Sequence, residues 1–194
     1  MGRNLGPKCK QCRREGVKLF LKGDKCLGEK CPFNKRSYAP GMYYDRAPRL
    51  SDYGRHLREK QKVKRMYGMG EKQFKRFFDM VRNQNNKGSM MLQLLERRLD
   101  SVIVKAGWAV SPFSARQIIR HGQIRVNGKK VDIPSYIVEK GDTITVKKKI
   151  WNNKPVKSAW LEFGEDSCTV LSYPSRDMID PGIKEYLIVE FYSR

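Results

Sequence analysis

The amino-acid sequence predicts an α+β protein made of four consecutive parts. Four of its five cysteines fall within the first 31 residues, which show little other periodicity. Apolar residues then recur at helical spacing, and a strand-like alternation begins near residue 124. We therefore expect a cysteine-bearing knuckle at 1–48, a helical domain at 49–97, a small ααβ domain with a β-hairpin at 98–150, and a β-rich C-terminal tail at 151–194 that completes the helical domain.

Positive charge dominates the composition. The chain has 194 residues, with 41 Lys and Arg against 20 Asp and Glu, and a formal net charge of +21. The excess lies before residue 150, because the last part carries 5 basic and 7 acidic side chains. Self-repulsion of this size destabilises a small protein unless a polyanion offsets it. We expect a nucleic acid as the partner, while residues 151–194 face the protein's own core or another protein.

The four N-terminal cysteines form two close pairs, C-x2-C and C-x4-C, separated by thirteen residues: Cys9, Cys12, Cys26 and Cys31. Two such pairs can converge on a tetrahedral Zn²⁺, and four thiolates leave no open position, so the zinc would be structural. Four unrelated thiols are the alternative. A redox role for the C-x2-C pair would need a strand–helix context, which this segment lacks. Disulfides are disfavoured because the start of the chain lacks the apolar core of a secretion signal. Cys168 stands alone in an apolar strand and is expected to be buried and inert.

The predicted helices follow from caps and apolar spacing. Ser51 can cap a helix at 52–66, whose polar surface is almost wholly basic. A second helix is expected at 71–83, with an aromatic face that is more typical of a core than of base stacking. A third begins at Ser89 and runs to about Ala106. The aromatic face of the second helix consists of three aromatic residues and one valine: Phe74, Phe77, Phe78 and Val81.

The small domain carries the clearest local pattern. Ser111 and Pro112 open a short helix that ends at Gly122, and Asn127-Gly128 suits a type I′ turn between two strands. Arg125 and Lys130 then share the exposed face, where opposed like charges are tolerable beneath an anion. The expected buried residues of this hairpin are Ile124, Val126, Val131 and Ile133. Further strands are predicted at 143–149 and in the segments WLEF, TVLSY and YLIVEFY.

Several long segments resemble one known family. RRLDSVIVKAGW and SARQIIRHGQIRVNGKKVDIPSYIVEKGDTITV resemble the S4-type RNA-binding domain. The flanking segments LSDYGRHLREKQKVKRMYGMGEKQFKRFF and EYLIVEFYSR are similar to the bacterial ribosomal protein S4 family. GPKCKQCRREGVKLFLK resembles the zinc-bearing variant of that family. The resemblance covers essentially the whole chain.

The resemblance implies a two-part RNA clamp in the cytoplasmic small ribosomal subunit. The helical part and the small domain would grip a helical junction in the 5′ domain of 16S rRNA, bind early and nucleate assembly. It also implies contacts with ribosomal protein S5, tied to translational accuracy, and with S3 near the mRNA entry side. Neither a membrane nor a second copy of the chain is expected as a partner.

Such a clamp needs phosphate neutralisation and shape reading, because A-form RNA hides its base edges in a deep groove. Arginine suits bidentate phosphate contacts, lysine acts as a point charge, and an aromatic ring can stack on a base. For Tyr53 packing against the helix face is the alternative to base stacking. The candidate RNA-binding residues are Lys8, Lys10, Arg13 and Arg14 near the knuckle; Arg49, Tyr53, Arg55, Arg58, Lys60, Lys62, Lys64, Arg65, Lys72 and Arg76 in the helical part; and Arg98, Arg116, Arg120, His121, Arg125, Asn127, Lys129 and Lys130 in the small domain.

Two other classes of protein share parts of this pattern. An RNA-modifying enzyme with the same small domain needs a catalytic domain, for which residues 151–194 are too short. A zinc-bearing DNA-binding factor needs a recognition helix or a dimerisation pattern, and helix 52–66 lacks sustained heptads. His56 and His121 lie in basic segments, with no phosphate loop or paired carboxylates nearby, and His121 can also cap the helix before it. We expect no enzymatic activity.

Overall fold

The computed structural model describes residues 6–42, 49–148, 155–156 and 158–193, so parts of the predicted knuckle and Lys149 lie outside the described residues. The chain divides into two compact units, Met1–Gly88 with Gly182–Arg194, and Ser89–Pro181. The segment 151–194 is therefore shared between them. Within the described residues, no helix is long and apolar enough to span a bilayer.

The helices are α1 Lys8–Glu15, α2 Pro32–Lys35, α3 Asp52–Met66, α4 Glu71–Val81, α5 Lys87–Glu96, α6 Leu99–Lys105, α7 Pro112–Arg120 and α8 Glu185–Ser193. The strands are β1 Ile124–Val126, β2 Lys129–Lys130, β3 Thr143–Val146, β4 Leu161–Phe163 and β5 Ser167–Val170.

The first unit is built around α3. The Ser51 hydroxyl accepts the Gly54 N–H at 3.2 Å, which satisfies a donor that the helix start leaves open and confirms the predicted cap. Helix α4 buries the whole predicted aromatic face, and Phe74 is fully buried. It ends at Val81, two residues before the predicted end. The core position of these aromatic rings is confirmed.

The last predicted strand is wrong, because YLIVEFY forms helix α8 and packs against α3. Ile188 is buried, and the rings of Phe191 and Tyr192 lie against residues of α3 and α4. A short apolar run is equally compatible with a buried strand and with one face of a helix. Here the run packs against helix α3 and is itself helical. The C-terminal tail is therefore not wholly β-rich.

The single helix expected from Ser89 to Ala106 is also wrong. Helix α5 begins at Lys87, so that Ser89 lies inside it, and α6 begins only at Leu99. Between them Arg98 is extended, with φ −66° and ψ 139°, and forms an isolated bridge with Ile137. The Leu99 N–H donates to the Tyr136 carbonyl at 2.8 Å. Bonds to this distant segment compete with the helical ones and break the helix.

Helix α7 confirms the predicted start and stop. Ser111 and Ser114 form a reciprocal capping box, with Pro112 in the first turn where its missing N–H costs nothing. His121 is the C-terminal cap residue and Gly122 follows with φ +67°. The position favours glycine for its conformation, whereas a Cβ there would meet only the flexible end of the exposed Lys130 side chain, which can move aside.

The second unit contains a five-stranded antiparallel sheet in the order β2-β1-β3-β5-β4. Arg125 pairs with Lys130, and Asn127 and Gly128 have φ +50° and +78°, which confirms the predicted hairpin register and turn. The buried face of the sheet packs against residues of α6 and α7, and together they form one apolar core. The strand predicted in WLEF is confirmed as the shorter β4, whereas β5 begins at Ser167 and shares only Thr169 and Val170 with the predicted TVLSY strand.

Two predicted core positions have different outcomes. Ile133 is 57% exposed, so its expected burial is wrong; β2 ends at Lys130 and the chain leaves the sheet before Ile133. Cys168 is fully buried, and burial raises the pKa of its thiol to about 12. That thiol stays protonated at neutral pH, which confirms the expectation of an inert cysteine.

The α4 core gives a direct test of this packing. Replacing Phe74 by Ala should lower the free energy of unfolding by about 3–5 kcal/mol, because the buried ring leaves a cavity. Met80→Ala on the same helix is the control, since Met80 is 54% exposed. Urea denaturation of both variants measures the difference, and equal losses would contradict the assignment of Phe74 to the core.

Candidate RNA-binding surfaces

Helix α1 is held on α3 by one buried carboxylate. The Glu15 side chain is 1% exposed, and its Oε1 lies 3.4 Å from Arg58 Nη1 and also bonds Arg65. Burial raises the pKa of Glu15, while the charges of Arg65 and Arg58 act in the opposite direction. Both arginines are about three-quarters buried, at 24% and 23% exposed. Much of their charge is therefore directed inward, at α1.

A second network joins α3 to α4 and α8. Lys60 Nζ donates to Glu71 Oε1 at 2.6 Å, Lys64 Nζ donates to Oε2 at 2.7 Å, and the Tyr192 hydroxyl donates to Oε1 at 3.1 Å. The Lys60 ammonium also lies 4.3 Å from the ring centroid of Phe191. Lys60 is 4% exposed, so this structure turns the predicted RNA-binding side chain inward, toward Glu71 and Phe191. Burial and the nearby Glu71 raise the pKa of Tyr192.

Three further α3 side chains make contacts within the unit. Lys62 Nζ lies 2.7 Å from Glu59 Oε1 and donates to the Gly182 carbonyl at 2.7 Å. His56, which is buried, lies 2.5 Å from Glu190 through Nε2. The Tyr53 ring lies 5.7 Å from that of Phe191 and is 56% exposed as a residue, so packing occupies part of it and leaves the rest accessible.

The exposed basic side chains of the first unit include six of the predicted residues. Arg55 makes only a 3.4 Å exposed pair with Asp52, which holds it weakly. An open cavity of about 260 Å³ is lined by Lys10 and Arg14 of α1 and by Arg65 of α3, with Pro7 and Pro40 as apolar walls. Lys10 and Arg14 are exposed at this opening and suit a phosphate backbone, whereas Arg65 is paired with Glu15. The exposed set is Lys10, Arg14, Arg49, Arg55, Lys72 and Arg76.

The four N-terminal cysteines lie in one region but not in a ligand geometry. Cys9 and Cys12 belong to α1, Cys26 ends a 3₁₀ turn, and Cys31 precedes α2. Burial raises the pKa of Cys12, the neighbouring thiols raise it further, and a hydrogen bond from the Leu19 backbone lowers it. The five cysteines are not disulfide-bonded. Among the described residues, no group of three or more His, Cys, Asp or Glu side chains is arranged to hold a metal ion.

Two basic residues of this region have limited freedom. Arg13 Nε donates to the Tyr38 carbonyl at 3.0 Å, and its guanidinium lies 5.0 Å from the Tyr38 ring centroid. Lys8 is partly buried, and that burial lowers its pKa. These contacts give Arg13 a structural role in fixing the chain around residue 38.

In the second unit, Asp100 binds two arginines. Arg98 donates to it through Nε at 3.0 Å and Nη2 at 2.7 Å, and Arg116 Nε donates at 2.8 Å. Arg98 is 1% exposed, so this structure turns the predicted RNA-binding side chain inward; a fully desolvated guanidinium is stable here only because the Asp100 carboxylate pairs with it. Arg116 remains 16% exposed, and Asp100 fixes its orientation.

Asn127 is also engaged internally. Its Nδ2 donates to Asp142 Oδ1 at 2.8 Å, while its Oδ1 accepts the Thr143 N–H at 2.9 Å. Asp142 further accepts the Glu139 N–H at 2.8 Å. Both ends of the Asn127 amide thus fix the turn, while the residue is exposed and its RNA contact stays a prediction. The sequence analysis did not single out Asp100 and Asp142; an acid two residues after an arginine within an apolar segment is the signal that could have indicated Asp100.

The remaining predicted residues of the second unit surround the hairpin and the end of α7. We call this group the hairpin cluster, and all five members are exposed. Arg125 and Lys130 are directly paired in register, so that two like charges lie side by side on the open face. An arrangement that is unfavourable in isolation becomes favourable beneath a phosphate. The hairpin cluster consists of Arg120, His121, Arg125, Lys129 and Lys130.

Comparison with known proteins identifies the family. Residues 3–96 match the profile described as Ribosomal protein S4/S9 N-terminal domain, and residues 97–144 match the S4 domain. The chain belongs to the ribosomal protein S4 family. Its relatives include the small ribosomal subunit proteins uS4 of Thermoanaerobacter sp. (strain X514), at 50% identity, and of Dictyoglomus thermophilum, at 47%, and uS4A of Symbiobacterium thermophilum, at 46%. Each alignment covers 100% of both chains.

The match to the S4 domain covers only part of the five-stranded sheet. The S4 domain ends at residue 144, within β3, whereas the sheet continues through β5 and β4. The last two strands therefore extend the S4 domain, and β5 pairs with β3 along Thr143 to Thr145. The relatives are ribosomal proteins, which agrees with the expectation that the chain is not an enzyme.

The Glu71 network predicts a pH dependence of stability. Partial burial raises the pKa of Glu71, but hydrogen bonds and charges from Lys60 and Lys64 outweigh it and hold the pKa below its ordinary value. Such a carboxyl stabilises the fold above its unfolded-state pKa and loses that contribution as the pH falls through the folded value.

Glu71→Gln should therefore be less stable than the wild type at neutral pH, and the difference should shrink as the pH falls below 4.5. Urea denaturation at several pH values between neutral and about 3 measures it. A difference that stays constant over this range would show that the charge of Glu71 contributes nothing.

Proposed function

We propose that this chain is a structural protein of the cytoplasmic small ribosomal subunit that binds 16S rRNA through both of its units. The observation that carries the proposal is the division of its basic side chains. Carboxylates hold some of them inside, while others remain exposed on α1, α3, α4 and the hairpin cluster. The relatives are small ribosomal subunit proteins over their full length, which supports the same role.

The chemistry of binding is phosphate neutralisation by pre-positioned cations. Asp100 fixes Arg116, and Asn127 with Asp142 fixes the hairpin tip that carries Lys129. Cations held in place lose less side-chain entropy on binding than mobile ones. The open cavity lined by Lys10, Arg14 and Arg65 offers a second anchoring point in the first unit.

The finer proposal is that the RNA is a helical junction in the 5′ domain of 16S rRNA, bound early so that it nucleates assembly. Two basic units on one chain can hold two RNA segments, and a junction brings such segments together. We also propose ribosomal protein S5 as a protein partner, with an effect on translational accuracy, and S3 as a neighbour near the mRNA entry side. The acidic side chains of the second unit's last strands, such as Glu162, support a protein contact there, because they would repel RNA.

A binding titration tests the rRNA proposal. If about six to ten phosphates are neutralised, affinity for a 16S 5′-domain fragment should fall about a thousandfold or more between 50 and 200 mM salt. Arg125→Gln should reduce the salt slope by about one phosphate equivalent, since it removes one exposed contact of the hairpin cluster.

Lys35→Gln is the matched control, because it removes the same charge from an exposed residue outside the proposed contacts. A duplex RNA and a duplex DNA of equal length serve as competitors. Resistance to both would support a specific rRNA binder. A salt slope equivalent to fewer than about three phosphates would overturn the proposal, and so would displacement of the rRNA fragment by the duplex DNA.

We further propose that Cys9, Cys12, Cys26 and Cys31 hold a structural Zn²⁺. The support is the donor chemistry: four thiols in one region, three of them buried, with a backbone N–H donating to Cys12 as it would to a thiolate. Zinc would favour the deprotonated thiols and tie α1 to the segment around residues 26–31.

Cys26→Ser should release the metal and expose residues 6–42 to proteolysis while the second unit stays folded. Cys168→Ala is the matched control and should keep the metal, because Cys168 lies in the core of the second unit. Native mass spectrometry of freshly purified, reduced wild-type protein should detect one zinc per chain. Absence of metal from the wild type, or its retention in Cys26→Ser, would contradict the proposal.

A further inference from the structure

Phe20 combines a left-handed backbone, an exposed side chain and buried neighbours on both sides. Its backbone has φ +48°, in the left-handed region that bulky side chains seldom adopt. It is 49% exposed, whereas Leu19 and Leu21 on either side are 6% and 3% exposed. The chain around it is therefore anchored, and the ring is directed outward.

The anchoring of this segment is specific. The Leu19 backbone hydrogen-bonds to Cys12, and the Gly23 N–H donates to the Phe20 carbonyl at 3.3 Å to close a turn. A disfavoured backbone persists only where the surroundings determine it, and such residues concentrate at binding sites. The turn thus fixes the backbone of Phe20 and places its aromatic ring at the surface, so little backbone entropy is left to lose on binding.

The charged residues near Phe20 in the sequence indicate the kind of partner. Lys18, Lys22 and Lys25 lie within five residues of Phe20, and Asp24 is the one acidic side chain between positions 16 and 28. Lysines close in sequence to an exposed aromatic residue are typical of nucleic-acid-binding segments, in which cations bind the backbone and the ring stacks on a base. An apolar protein partner would not need this cationic surround.

We propose that Phe20 stacks on an unpaired base of the RNA that this chain binds. The inference rests on the proposed rRNA-binding function and adds a base contact to the phosphate contacts already described. Since every base has a π-face, the contact supplies affinity and positioning more than sequence selection. An unpaired or splayed base is the ligand, because a base inside a continuous duplex is already stacked on both faces.

Phe20→Gly is the sharpest test. Glycine readily adopts φ +48°, so the variant keeps the turn and removes only the ring. Affinity for the 16S 5′-domain fragment should fall about ten- to a hundredfold, by the same factor at every salt concentration, because stacking releases no counterions. Phe20→Tyr should bind like the wild type. Met80→Ala, which removes another exposed apolar side chain from the same unit, should also bind normally.

Thermal unfolding of each variant separates a contact from a structural role. The expected result is a midpoint for Phe20→Gly close to the wild-type value together with the loss of affinity. Wild-type affinity in Phe20→Gly, a loss that Phe20→Tyr shares, or a loss matched by unfolding would each overturn the inference while leaving the rRNA proposal intact. If the wild type itself fails to bind the fragment, the proposed function fails and this inference falls with it.

Discussion

The first unit depends on the charge of α3, a helix whose polar surface is almost wholly cationic. Each element packed around it contributes a carboxylate: Glu15 from α1, Glu71 from α4 and Glu190 from α8. Packing alone would leave the buried ammonium of Lys60 uncompensated, and an unpaired buried charge costs several kcal/mol. The arrangement of helices in this unit is thus inseparable from the pairing of those charges.

The same division between internal and external cations governs the second unit. Asp100 neutralises the buried Arg98 and orients Arg116, whose guanidinium is partly exposed. Asp142 acts through the Asn127 amide on the backbone of the hairpin tip. In both units a small number of acids determines which basic residues are structural, which are held at the surface, and in what orientation.

Local signals made much of this architecture predictable. The Ser51 cap, the Ser111-Pro112 start and the Asn127-Gly128 turn depend on neighbouring residues only, and all three were anticipated correctly. The break at Arg98 and the helical state of 185–193 depend on partners more than thirty residues away, which no local pattern contains. For the same reason charge alone could not separate Lys60 and Arg98 from the exposed basic residues; that distinction needs the positions of Glu71 and Asp100.

The course of synthesis follows from the position of α8 in the chain. The second unit is one continuous segment, whereas the first needs residues from 182 onward to complete its packing on α3. A ribosome making this protein therefore releases the later unit in foldable form before the earlier one can close. Until α8 emerges, His56 and Lys60 lack Glu190 and the aromatic rings that cover them. During that interval the nascent chain presents more accessible positive charge than the finished protein does.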